Sequence, residues 1–262
     1  MRTSRSSFVV TSLVVVSAIL VGNVHGGPPF VTDDPEPVDY QHWEFYVASQ
    51  NTDISGDWSG TAPHFELNYG IISNVQLHMI APLAYDAPPH RASHYGSGDM
   101  ELGVKFRFLQ ETNWLPEAAI FPLLEVPIGS AKDNLGAGHA NGFLPLWLQK
   151  SWGDWTAYGG GGYGVNSFSG RRNWEFVGGV LQDQVSSNIL IGAEVYHQTD
   201  VEADFPNVGT AFNIGAVIDL SDQHHILFSA GRSIDGPTQF QCYIAYQFTF
   251  DNSLFQFAKP SH

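Results

Sequence analysis

Apolar and polar residues alternate without a break through DMELGVKFRF, residues 99–108: Met100, Leu102, Val104, Phe106 and Phe108 fall on one side, Glu101, Lys105 and Arg107 on the other. A β-strand sends successive side chains to opposite faces, so a period of two predicts a strand with one apolar and one polar face. QFQCYIAYQFTF, residues 239–250, repeats the pattern, with Phe240, Cys242, Ile244, Tyr246, Phe248 and Phe250 set against Gln239, Gln241, Tyr243, Gln247 and Thr249. About twelve such runs fill the chain, roughly 41–51, 61–71, 75–84, 98–111, 118–128, 142–152, 155–167, 174–184, 189–200, 209–220, 225–234 and 239–250. Strands of globular proteins average about 5 or 6 residues, whereas a tilted strand crossing a hydrocarbon core needs about 9–11. Connections alternate between tight ones, such as Gly153-Asp154, and long polar ones, such as YDAPPHRASHYGSG and GSAKDNLGAGHAN. Length, alternation and loop asymmetry together predict an all-β fold: a transmembrane antiparallel up-and-down β-barrel of about 12 strands over residues 41–250, in the bacterial outer membrane.

The remaining segments read differently. Arg2 and Arg5 precede a mostly apolar stretch from Phe8 to Val21 and the small residues of Val24-His25-Gly26. Residues 1–26 are thus expected to be a secretory signal peptide, since about 13 apolar residues fall short of the roughly 20 that cross a bilayer. Residues 27–40, with the acidic TDDPEPVDY, are expected to form an irregular periplasmic lead-in that either tucks into the barrel mouth or stays solvated. Residues 251–262 form a C-terminal tail. Tyr246, Phe248 and Phe250, or else Phe255 and Phe257, would serve as the aromatic signal read by the outer-membrane assembly machinery.

A net charge of −15 argues against nucleic acid as a partner, because phosphate binding needs clustered Lys and Arg. The single cysteine, Cys242, excludes an internal disulfide. Its place on the apolar face of the last strand predicts that it points to lipid, with poor labelling by a membrane-impermeant thiol reagent. Trp43, Trp114, Trp152, Trp155 and Trp174 fall at strand ends or in turns, where amphipathic rings sit at a bilayer interface.

YGSGDMELGVKFRFL, FPLLEVPIGS, PLWLQKSWGDW, DLSDQHHILFSAGRS and PFVTDDPEPVDYQHWEFYVAS give the chain a family likeness: it resembles the outer-membrane transporters of the phenol-degradation meta-pathway type, in scattered blocks over residues 29–250. The resemblance implies a porin-like barrel for uptake of small hydrophobic or aromatic compounds. It transfers no catalytic residue and no cofactor.

The polar faces supply the candidate site. Glu44, Glu66, Asn68, His78, Glu101, Lys105, Arg107 and Glu125 are expected to line the lumen. His42-x-Glu44 and His64-x-Glu66 suggest a metal set, but antiparallel strands put the two histidines at opposite rims; Glu44, Asn68 and His78 would be level, as a hydrogen-bonded network. Lys105 is expected roughly opposite Glu125, as a cross-strand ion pair narrowing the lumen. No His-x-Ser pair offers a nucleophilic site, the nearest approach being His197-x-Thr199, so no enzyme activity is expected. YGGGGYG, residues 158–164, lacks the Lys-Ser/Thr of a phosphate loop and suggests a bent or tightly packed wall. SGRRN, residues 169–173, is a basic tip that either contacts lipopolysaccharide or is solvated. The function expected is an outer-membrane channel for small hydrophobic or aromatic solutes among membrane lipid and lipopolysaccharide. The alternatives are a lipid-modifying barrel enzyme and a secreted, soluble β-barrel binding protein.

Overall fold

The computed structural model describes residues 28–167, 172–199, 209–236 and 239–255. Residues 1–26, where a signal peptide is expected, most of the SGRRN tip and most of the expected C-terminal tail lie outside them.

The strands follow in chain order: β1 (His42–Ile54), β2 (Asp57–Ile72), β3 (Val75–Ala87), β4 (His94–Ser97), β5 (Met100–Leu109), β6 (Glu117–Ile120), β7 (Leu123–Val126), β8 (Asn141–Trp152), β9 (Trp155–Asn166), β10 (Trp174–Ser186), β11 (Ile189–Gln198), β12 (Thr210–Ser221), β13 (His224–Asp235) and β14 (Gln239–Asp251). All strand pairings are antiparallel and, apart from the short β4, β6 and β7, follow the order of the chain; β1 pairs with β14 from His42↔Asp251 to Ile54↔Gln239, which closes the sheet. β6 and β7 together form one wall strand between β5 and β8, and β4 extends the loop end of β5 along β3, so the barrel has 12 walls.

Two details depart from the sequence reading. The first hairpin is taller than expected, because β1 and β2 continue to a tight turn at Ser55-Gly56. The fifth wall is broken at Phe121-Pro122, where proline brings no N–H to the ladder. Pairing continues across the break, Val104 N–H donating to the Pro122 carbonyl and Phe121 N–H to that of Pro145.

One end of the barrel holds the two-residue turns Ser73-Asn74, Gly153-Asp154, Ser187-Asn188 and Asp222-Gln223; most of the long connections lie at the other. The outward face is apolar at mid-wall, with Leu77, Val104, Leu146, Val177, Ile191, Ile214 and Ile244 all exposed. Aromatic rings ring its margins. At the turn end Trp43 stacks on Tyr69 with centroids 4.1 Å apart and lies 6.2 Å from Phe250. At the loop end Trp58 meets Phe240 edge-on at 6.2 Å. Trp174 corrects the interfacial reading: it stacks inside the barrel on Phe143 at 4.7 Å. Gly164 on β9 leaves the room for its indole, since a Cβ there would collide with the ring. The glycine run is therefore the floor on which inward rings from β8 and β10 lie. Cys242 alternates with the inward Gln241 and Tyr243, which assigns its side chain to the outer face; it is half-buried, with Sγ 3.9 Å from Asn51 Nδ2, and part of the residue borders the upper interior cavity. An impermeant maleimide should accordingly label the native barrel at least several-fold more slowly than a lipid-soluble one; equal rates would contradict this register.

Candidate functional site

A barrel of 12 strands is wide enough to leave a water-filled interior unless something fills it. Here the chain fills its own. Residues 28–39 enter from the turn end and climb to mid-wall, with Thr32 and Asp34 almost wholly removed from solvent. No regular element forms in this segment, because its backbone groups bond to the wall. Glu194 on β11 accepts hydrogen bonds from the amides of Val31 and Thr32 and from Asn213 Nδ2. Ser229 Oγ on β13 donates to the Pro29 carbonyl, and Val38 N–H donates to Gln76 Oε1 at 2.9 Å. Phe30 fits a niche that only glycines allow, since a Cβ at Gly192 or Gly215 would press into its ring.

The opposite side of the segment is held by charge. Lys105 Nζ lies 3.1 Å from Asp33 Oδ1, 3.6 Å from Asp34 Oδ1 and 3.3 Å from the Glu36 carbonyl, and 5.1 Å over the Phe121 ring. Lys105 does not pair with Glu125: β5–β7 register puts Glu125 opposite Glu101, while Lys105 lies beside the broken wall and turns to the inserted segment. Glu125 instead accepts from Asn141 Nδ2 at 2.6 Å.

The other candidates fall in two groups. Glu44, Asn68 and His78 are level across β1, β2 and β3. His78 Nδ1 lies 2.7 Å from Asn68 Oδ1, its Nε2 lies 3.0 Å from Glu101 Oε1, and Asn68 Nδ2 donates to Glu66 at 2.8 Å. Glu44 accepts from Tyr46 Oη at 2.8 Å. Arg107 is lower, at the turn end, bonded to Glu117 at 3.1 Å and to the Ser73 carbonyl at 3.2 Å, where it braces the rim. No group of three or more metal-ligating side chains forms a metal site among the described residues. His197 Nδ1 meets Thr210 Oγ1 at 3.1 Å on the neighbouring strand. Asp33, Asp34 and Glu194, which fix the segment, were absent from the sequence candidates.

Two cavities remain beside the segment. The one toward the loop end measures about 510 Å³ and is lined by the apolar Phe121, Leu123, Phe143 and Trp147 together with Glu66, His78, Glu101 and Glu125. The one toward the turn end, about 300 Å³, is polar, with Asp33, Asp34, Glu36, Glu44 and Lys105. The loop between β7 and β8 folds over the upper cavity, with Asp99 accepting from the Gly129 and Ala137 amides and Leu135 buried beneath.

Although Glu36 keeps more than a third of its surface open to the lumen, the protein crowded around its carboxyl pushes it up to about 7, with the negative charge of Glu117 adding to the rise and Arg107 and Lys105 opposing it. Burial likewise holds the Asp34 carboxyl well above its usual range, against the pull of Lys105. Once withdrawn into solvent, Glu36 would return to about its ordinary 4.5. The inserted state thus binds the proton more tightly, and the advantage this gives it is complete below 4.5 and lost as pH rises through about 7. Segment release, read as conductance, should increase between pH 5 and 8, and Glu36→Gln should flatten the rise; a rise of unchanged size in that variant would contradict the assignment.

No family model matches the chain, and no curated protein matches it in sequence. Its fold is similar to those of solved barrels. The COG4313 outer membrane channel from Pseudomonas putida F1 aligns with a TM-score of 0.68 at 15% identity, over 83% of this chain and 98% of that one. The KdgM porin in complex with disordered oligogalacturonate aligns at 0.55 and 9% identity, over 78% and 99%. The NanC porin aligns at 0.55 and 9% identity, over 78% and 98%. At these identities the likeness is one of fold.

Proposed function

We propose that this chain is an outer-membrane channel for small solutes, narrowed by its own N-terminal segment, and that solutes with aromatic or apolar parts are those it favours. The observation that carries the reading is the pair of cavities, one on each side of the inserted segment, in a closed barrel whose outer wall is apolar between aromatic margins. A soluble protein rarely exposes apolar patches beyond a few hundred Å², and a continuous belt is what lipid would cover. The alignments with a channel and two porins support the same reading through the fold. The aromatic side chains lining the upper cavity support the favoured solute, in line with the resemblance to phenol-degradation meta-pathway transporters. Residues 1–26 would then act as the export signal and the residues after Asp251, which ends β14, as a tail beyond the wall, with the assembly machinery and lipopolysaccharide as partners. The folded protein should migrate differently before and after boiling, fractionate with outer membranes, and make liposomes permeable to small neutral solutes but not to oligosaccharides. Fractionation as a soluble protein, or free passage of oligosaccharides, would overturn the reading.

Glu194→Ala removes the acceptor for two segment amides and Asn213, each bond to a carboxylate being worth about 1.5–3 kcal/mol. Single-channel traces of this variant should show frequent excursions to a larger conductance level. Traces indistinguishable from the unaltered chain would place the segment's anchorage elsewhere.

A further inference from the structure

Five residues line both cavities: Pro28 and Asp33 of the inserted segment, Glu66 and His78 of the wall, and Phe121 at the break between β6 and β7. They mark where the two cavities meet. A solute crossing between the segment and the β1-to-β7 side of the barrel passes this ring. Phe121 lines it from the break, its ring perpendicular to that of His78 with centroids 5.3 Å apart.

The charge on this route is one-sided. Among the described residues the upper cavity is lined by Asp33, Glu66, Asp99, Glu101 and Glu125, with no Lys or Arg. The lower cavity adds Asp39, Glu44 and Asp222 against Lys105 alone, with Asp34 and Glu36 contributing charge only as they lose their protons. His78 stands between Glu66 at 3.7 Å and Glu101 at 3.0 Å, so two carboxylates face one imidazole even when it is charged. The protein also contains an example of the solute this environment holds. The Lys105 ammonium sits between the Asp33 carboxylate and the Phe121 face, so these two groups already hold one cation, and the carboxylates left to a passing one are those of Glu66, Glu101 and Glu125.

We propose that Asp33, Glu66, His78 and Phe121 form the selectivity filter of the channel, admitting small cations, aromatic ammonium ions included, and rejecting anions of the same size. This rests on the channel reading above and names its substrate class. A pore with low-dielectric walls focuses the field of such carboxylates, concentrating cations and excluding anions. Lys105 does not reverse the balance, since Asp33 and Asp34 both lie against it.

The test uses the full chain reconstituted in planar bilayers under a potassium chloride gradient and in liposomes offered benzylammonium or benzoate. The reversal potential should lie on the potassium side, and benzylammonium should enter several-fold faster than benzoate. Glu66→Gln, and independently the more exposed Glu101→Gln, should reduce the potassium-to-chloride permeability ratio several-fold. A reversal potential at zero or on the chloride side, or equal entry of the two aromatic ions with neutral solutes still passing, would overturn the filter and leave the channel standing. A chain silent to neutral and charged solutes alike would remove the channel reading, and the filter with it.

Discussion

Deleting residues 28–39 is expected to convert a weakly conducting barrel into one with a large, steady conductance, several-fold above that of the full chain. The segment fills the lumen from the turn end to mid-wall, and its removal would join two cavities of about 510 and 300 Å³ with the space it occupied. The wall should survive, because its ladder closes through β1 and β14 without the segment. The cost is confined to the inward groups left to water: Glu194, Ser229, Gln76 and Lys105 are polar and would be resolvated, while the glycine niche of Phe30 loses only its occupant. Planar-bilayer recording checks the conductance, and heat-modifiable migration checks that the barrel still folds. A folded deletion variant with unchanged conductance would mean that the segment does not limit flow.

Lys105→Met carries the second large expected effect. The substitution keeps an apolar stem of similar length against Phe121 and removes the cation facing Asp33 and Asp34, of which Asp34 is only 1% exposed. Removing one partner of a buried pair costs about 3–5 kcal/mol, so the inserted state should lose roughly two to four orders of magnitude in its equilibrium with the withdrawn one. The barrel itself should remain, since Lys105 contributes to the wall through its backbone. Open time in single-channel traces should therefore rise sharply, with unchanged heat modifiability. Low pH should partly restore closure, as protonation neutralises the unpaired carboxylates. Unaltered open time would show that the Lys105 contacts do not hold the segment.

The wall was legible in the sequence because a half-apolar strand writes its facing directly into a period of two. Met100 to Phe108 and Phe240 to Phe250 needed no more than that to be oriented. Phe121-Pro122 was less legible: both faces of residues 118–128 are largely apolar, so alternation gave no sign of the break. Glu44, Glu66, Asn68, His78, Glu101 and Lys105 were named from parity, and all six line one or other of the two cavities that we propose as the pathway.

What parity could not supply was the partner of Lys105. A cross-strand rule considers only wall against wall, whereas the partner came from Asp33 and Asp34, more than seventy residues earlier in an aperiodic, proline-broken stretch. The glycines carried an unread signal. Gly192 and Gly215 lie on inward faces, where a strand gains nothing from glycine unless another group must come close, and Phe30 is that group. Glu194, a lone acid on an otherwise apolar run, was a further sign that something inside the barrel needed an acceptor.

The most direct test of the segment's position is its accessibility in the folded barrel. In a Cys242→Ser background, Thr32→Cys places a single thiol at a site that is 0% exposed, and Ser55→Cys places one in the open turn between β1 and β2. With the segment inside the lumen, an impermeant maleimide should label position 32 at least tenfold more slowly than position 55, and adding Lys105→Met should narrow that difference. Equal labelling of the two positions in the native, heat-modifiable protein would contradict an occupied lumen.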